Sequence, residues 1–520
     1  MPNFRYAPDL PTDTPNTWRV VDGFHPDAYG NYRTGWLASA LTAGPTAAIG
    51  GSATFQTGFC YQAPGLPAHV LLLYVSTDLA TKKSYVYNGA WNDRNGTNSG
   101  AGSCFCQVGN ITLVGFSNPG GVTVTGSGLV QRDATGTANF AAVSSAPNAG
   151  VLLVNPLNIV VALDTATDAW ATSDTAAPTT WTGGESASGN LRQTQGACTA
   201  GAILGNDVIA FKQRGVYRGT YVGGLVKWAW QLIDAEKGAW GPGCAVSANG
   251  KVYFVGNSGF YSYDGSAFER LDEGVWKQIT GSFAELVALG QQYYETKLLY
   301  DAVTRNIFMF QLGNRPNPGN ARNAPAKVIF SFNVISKKWG AQSLLSASTQ
   351  LYAVFDITPL NTYLTSSQVG TVGGGGPIYN TNIGFYDGAS DSLLALTSTF
   401  TPSGLTTAGL TPKIRTSRIG VQNKLTAVTR FTPEWNQSDG AGTDLSTATT
   451  KTCTFYTADA PIGTNVASPG SPVTLTSNLY RADQNVTAGF IAAEISINCE
   501  AVIAGGFFDT ASGVGGAGTI

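Results

Sequence analysis

The chain is poor in the side chains that carry most acid–base and metal chemistry. It has two histidines, His25 and His69, in 520 residues. General-base or metal sites built on histidine therefore have little material. Only 12% of residues are charged, against about 25% in an average soluble protein. The net charge of −2 gives no general attraction to nucleic acid or to anionic membranes. No apolar run approaches the length of a membrane span, so none is expected. The N-terminal stretch MPNFRYAPDLPTD lacks the apolar core of a secretory signal. Seven cysteines, Cys60, Cys104, Cys106, Cys198, Cys244, Cys453 and Cys499, are scattered and odd in number. That pattern suits buried free thiols better than a disulfide framework.

Glycine is abundant, at 64 residues, and the segment 201–279 shows what it is for. Short apolar runs at 208–211 and 216–221 precede VKWAWQLI, in which Val226, Trp228, Trp230 and Leu232 alternate with Lys227, Ala229 and Gln231. This period of two fits a half-buried strand. Further runs at 251–255, 259–263 and 267–271 are separated by Asn249-Gly250, Asn257-Ser258-Gly259 and Asp264-Gly265. Asx-Gly pairs supply positive φ at little cost and predict hairpins. Short antiparallel strands joined by such turns are what a β-propeller blade needs.

The unit recurs as an aromatic strand end, an Asx-Gly turn and a second aromatic or apolar residue. It runs Tyr87, Asn88-Gly89, Trp91; then Tyr263, Asp264-Gly265, Phe268; then Tyr386, Asp387-Gly388. A looser copy runs from Phe332 and Asn333 to Trp339. The fold class expected is all-β, a propeller of about five to eight blades of about 40 to 50 residues each. Residues 46–404 form it, with inserted loops at 313–325 and 368–382. Residues 1–45, rich in proline but carrying Trp18, Val20, Val21, Phe24 and Tyr29, read as an extended arm. Residues 405–520 read as a β-sandwich-like platform module, its strands at 450–456, 473–475 and 489–503. One helix is expected within 273–289, weakened by Gly274 and Gly281.

No HExxH, paired CxxC or P-loop is present. Gly256-Asn257-Ser258-Gly259 resembles a protease serine loop only superficially and reads as a turn. The GxGxxG match at 513–518 has no helix after it and cannot cradle a pyrophosphate. The loop 439–444 lacks the ligand density of a calcium site. A propeller glycosidase would need two facing carboxylates. Asp164, Asp174, Asp264 and Asp301 stand near strand ends, where bonding to the local backbone is the commoner role. No catalytic residue, metal ligand or cofactor is assigned.

The ordered set Trp170, Ser173-Asp174, Pro178, Trp181, then 204–212, Gly215-Val216-Tyr217, 259–265, Tyr300-Asp301 and 330–339 resembles the β-propeller tail proteins of tailed bacteriophages. The nearest group is the nozzle, or DNA-stabilisation, proteins of short-tailed phages. The resemblance implies a homo-hexameric ring in the virion tail, below the portal and head–tail adaptor, with tail fibres or spikes as further partners. It also implies a channel for packaged double-stranded DNA, and a platform made by both chain ends. Trp170, Asp174, Trp181, Asp264 and Gly265 would be structural propeller residues. Arg315, Asn317, Arg322, Gly373, Gly374 and Gly375, in the two long loops, are the candidate channel gate. The alternative is a receptor- or glycan-binding propeller at a tail tip.

Overall fold

A computed structural model describes residues 4–10, 14, 16–34, 37–43, 53–61, 69–76, 82–87, 90–94, 102–116, 129–133, 139, 141–175, 177–280, 296–311, 328–343, 351–357, 380–387, 392–397, 412–420, 426–435, 450–458, 468–475, 481–497 and 501–510. Among the described residues seven antiparallel blades, each of four strands, follow one another along the chain. Blade one comprises Ala53–Tyr61, His69–Ser76, Lys82–Tyr87 and Trp91–Asp93. Blades two and three follow, from Gly102–Val108 to Ala141–Ala142 and from Val151–Val154 to Ala187–Asn190. Blade four comprises Cys198–Leu204, Asp207–Lys212, Val216–Gly223 and Lys227–Asp234. Blade five runs from Ala245–Ala248 to Phe268–Arg270, and blade six from Thr296–Asp301 to Trp339–Ser343. Blade seven comprises Leu351–Asp356, Asn380–Asp387, Ser392–Thr397 and Leu37–Ala43. The first strands of successive blades touch in order, and the first strand of blade seven meets that of blade one, so the ring is closed.

The burial pattern follows from this stacking. A strand between two neighbouring blades is covered on both faces, and Gly259–Tyr263 is buried at every position. The outer strand Lys227–Asp234 instead buries Trp228 and exposes Ala229 and Gln231, which matches its alternating sequence. Asn249 and Gly250 adopt φ of 47° and 73°. They join Ala248 to Lys251 in a two-residue turn with positive φ at both central positions. The 257–258 pair is likewise a two-residue turn between the paired Gly256 and Gly259. Three copies of the recurring aromatic unit sit at one corner, between third and fourth strands: Tyr87 pairs Trp91, Tyr263 pairs Phe268 and Phe332 pairs Trp339. The copy at Asp387 instead turns between the second and third strands of blade seven.

Blade seven takes its fourth strand from the N-terminal segment. Leu37–Ala43, read from sequence as part of the arm, pairs antiparallel with Ser392–Thr397. The rest of the N-terminal segment joins the C-terminal one. Thr17–Asp22 pairs with Lys413–Thr416, and Tyr32–Thr34 pairs with Val502–Thr510. These strands belong to two sheets. One is an eight-stranded sheet, and the other continues outward from blade six through Phe24–Pro26. Trp18, Val21 and Phe24 are buried there, as their apolar character demands, whereas Tyr29 is 84% exposed.

The stretch expected as one strand at 489–503 belongs to two. Phe490–Ile497 lies in the eight-stranded sheet beside Lys451–Ala458. Val502–Thr510, and before them Ala482–Ala488, flank Thr426–Trp435 in the other sheet. The chain changes sheet between strands, which no local pattern of apolar residues records. The expected helix is present at 276–280, and the remainder of 273–289 from 281 onward lies outside the described residues. Its start is capped from far away: the Asp9 carboxylate accepts the Lys277 and Gln278 backbone N–H groups. The cysteines Cys60, Cys106, Cys198, Cys244 and Cys453 are free and buried, and Cys104 is free and half-buried. Cys104 and Cys106 join one cluster between blades two and three.

Candidate functional site

Trp170 and Trp181 are each 8% exposed. Trp170 packs between blades three and four, its ring 5.2 Å from that of Trp230. Trp181 fills the next interface back, against Leu113, Val143, Leu152 and Val160. The two indoles serve successive blade boundaries and do not share a surface. Between them Asp174 Oδ1 accepts the backbone N–H groups of Thr175 and Glu185, at 2.8 and 2.9 Å. It ties the long connection between the third and fourth strands to itself.

The other carboxylates named from sequence are also engaged in their own turns. Asp164 accepts from Ala166 N–H and the Thr167 hydroxyl. Asp264 accepts from the Ser266 and Ala267 N–H groups and the Ser266 hydroxyl, and those donors hold its carboxyl well below the usual range. Gly265, at φ 99°, completes that turn. Asp301 is fully buried and accepts from Val303, Thr304 and, across the blade boundary, Asn382 N–H at 3.1 Å. Burial pushes its pKa up, while those donors pull it back. The four carboxylates stand in blades three, five and six. Asp164 lies between second and third strands, at the opposite end of the blades from Asp174, Asp264 and Asp301. Among the described residues no group of three or more His, Cys, Asp or Glu is arranged to hold a metal.

Two buried polar side chains were not legible from sequence. Lys212, in a polar break of the sequence, is fully buried in the second strand of blade four. Its ammonium donates to Leu191 O and Thr194 O and lies 3.8 Å from Asp168, pinning the loop between blades three and four. His25 sits in the strand Phe24–Pro26 and is 2% exposed. Its Nδ1 is 2.5 Å from Ser331 Oγ and its Nε2 is 2.8 Å from Gln342 Oε1. It is a joint between the N-terminal segment and blade six.

Arg315, Asn317, Arg322, Gly373, Gly374 and Gly375, the candidate gate residues, lie outside the described residues. The strands that flank them do not. The first long segment leaves blade six between its second and third strands, Asn306–Gln311 and Val328–Asn333. The second leaves blade seven between its first and second, Leu351–Asp356 and Asn380–Asp387. Gln311, ending a second strand, and Asp356, ending a first, therefore stand at opposite ends of their blades.

No family model matches the chain, and no curated protein matches it. Among solved structures it is similar to virginiamycin B lyase from Staphylococcus aureus, at 10% identity and a TM-score of 0.44, over 70% of this chain and 100% of that one. It is also similar to YCF48 bound to D1 peptide, at 10% identity and a TM-score of 0.39, over 71% and 97% of the two chains. A third likeness is to the extracellular domain of a putative hybrid two component system from B. thetaiotaomicron, at 10% identity and 0.39, over 81% of this chain and 43% of that one. These are likenesses of fold alone; the chain is an all-β propeller.

Proposed function

We propose that the chain is a structural protein of a phage tail. It forms a ring, homo-hexameric, below the portal and adaptor, retains packaged DNA and lines the exit channel between six copies. The observation that carries this reading is the module built from both chain ends. Strands from 5–34 and 413–510 interleave in two sheets, and one of those sheets is continuous with blade six through the Phe24 to Ala341 pairing. A second layer fixed rigidly to one blade gives the propeller a docking face independent of its loops, as a ring held against an adaptor requires. The carboxylates inspected for catalysis are committed to turns, which supports a non-enzymatic role without metal or cofactor.

Low charge supports the same reading, because a surface covered by other subunits has less need of it. The hairpin tip of blade four leaves Val222, Leu225 and Val226 at 54%, 104% and 68% exposure, and a neighbouring copy would cover it. Native mass spectrometry and electron microscopy of the purified full chain, alone and with its adaptor ring, test the proposal. Six copies in a closed ring are expected. A monomer or trimer under both conditions would sink the nozzle reading and favour a receptor binder.

A further inference from the structure

The face of the propeller that carries the connections between second and third strands holds a cavity of about 950 Å³. Blade three supplies Thr165 to its lining, and blades four and five with their connections supply the rest. Thr194, Gln195 and Thr199 come from the passage into blade four, Gln213 and Arg214 from a turn within that blade, and Asn257 from the corresponding turn of blade five. The volume lies within the range of small-ligand sites, about 300 to 1,000 Å³. Among the described lining residues there is one cation, Arg214, and no carboxylate. The Arg214 guanidinium is exposed and makes no ion pair or hydrogen bond among the described residues.

The lining also includes an oriented amide. Asn257 Oδ1 accepts the Trp240 indole N–H at 2.7 Å. An indole only donates, so the amide is oriented and its Nδ2 is left as a donor. Thr199 is the extra residue of a β-bulge: Cys198 pairs Lys212 and Ala200 pairs Phe211, with Thr199 between them unpaired. The first strands of blades one, two and seven carry the same irregularity, so the bulge itself belongs to the fold. In blade four it is Thr199, whose hydroxyl is buried away from the open space. Burial pushes the thiol of Cys198, also in the lining, up to about 12, which disfavours its thiolate. Trp240 is 8% exposed and stacked on Trp276, so no open aromatic platform invites a nucleobase.

We propose that this cavity binds an acidic saccharide, its carboxylate on Arg214 and its hydroxyls on Asn257 and the glutamine amides. The inference does not depend on the ring proposed above, and a monomeric chain would carry the same site. Titration calorimetry and saturation-transfer NMR on the full chain, with a disaccharide bearing one glucuronic acid and its neutral counterpart, test it. The acidic sugar binds and the neutral one binds about tenfold or more weakly, the ratio of one charge-assisted hydrogen bond. Arg214→Gln removes that preference. Asn257→Asp keeps the acceptor for Trp240 but replaces the donor with a like charge, and weakens the acidic sugar more than the neutral one. Circular dichroism confirms that each variant is folded. Equal binding of the two sugars, no binding by either at millimolar concentration, or unchanged affinity in folded Arg214→Gln and Asn257→Asp chains overturns the proposal.

Discussion

Phe24 and Ala341 are partners across one antiparallel ladder, and that pairing makes the N-terminal segment the next strand outward of blade six. Asp22 reinforces it by accepting the Ser343 N–H at 2.6 Å and the Ser343 hydroxyl at 3.0 Å. The approach is close enough to require glycine beside it. A Cβ on Gly340 would stand 2.6 Å from Phe24 O and 2.7 Å from Pro26 Cδ. Backbone and a proline ring cannot step aside as a flexible side chain would. Gly340→Val is expected to cost about 1–3 kcal/mol and to open 24–34 to limited proteolysis before the blades are cut. A variant with unchanged melting and unchanged protease protection would show that the joint is not under this constraint.

The blade boundaries at Trp170 and Trp181 give a second expectation. Each indole is enclosed by apolar side chains of two blades, so truncation leaves a cavity that neither blade closes alone. Trp170→Ala and Trp181→Ala are each expected to cost about 3–5 kcal/mol, measured by denaturant unfolding. Trp181 Nε1 is buried without a protein partner. Trp181→Phe removes that unpaired group along with some volume and should cost clearly less than the alanine. Equal losses for the two would mean that the ring volume contributes nothing.

These elements also show how far the sequence could be read. Asx-Gly turns are local chemistry, so the hairpins of blade five are visible in the residues that make them. Blade count is not local. The fourth strand of blade seven is Leu37–Ala43, distant along the chain from its partner Ser392–Thr397, and nothing in LASALTA names that partner. The same holds for the carboxylate of Asp9 on the helix at 276–280. The cavity was invisible for a related reason: Thr199, Arg214 and Asn257 come from different turns and strands, each unremarkable in its own stretch. Lys212 directly follows the apolar run at 208–211, and its burial depends on carbonyls of the connection between blades three and four, which the local sequence does not announce.

His25 makes stability depend on pH in a definite direction. Burial drives its imidazole down to about 3, while Gln342 opposes the shift. In the unfolded chain an imidazole takes a proton near pH 6.5. Above that value both states are neutral and the residue adds no pH dependence. Below it the unfolded chain gains a proton that the folded chain refuses, so stability falls as pH drops from about 6.5 toward 3. The loss approaches about 1.4 kcal/mol per pH unit. Urea unfolding at pH 7.5 and 5.5 should show it, and His25→Gln should flatten the slope even if it lowers stability throughout. A slope equal in both chains would place the titration elsewhere.

Closure of the ring by Leu37–Ala43 can be tested at single residues. Among the described residues this strand has one hydrogen-bonded neighbour, Ser392–Thr397. Along an antiparallel edge, alternate N–H groups point toward the neighbour and away from it. Ala38 pairs with Leu396 and Ser39 with Ala395, with no register shift between them, so one of these two residues donates into the ladder and the other faces outward. Proline removes the N–H and is tolerated on an edge only where that group faces outward. Ala38→Pro and Ser39→Pro should therefore differ, one costing about 1–3 kcal/mol and the other less. The costlier variant should also expose Ser392–Thr397 as an open edge and raise aggregation, because an unpaired strand edge is a template for other chains. Calorimetry and light scattering on the pair decide it. Two variants that melt together with the parent chain, and stay dispersed, would mean that the N-terminal strand does not hold the propeller shut.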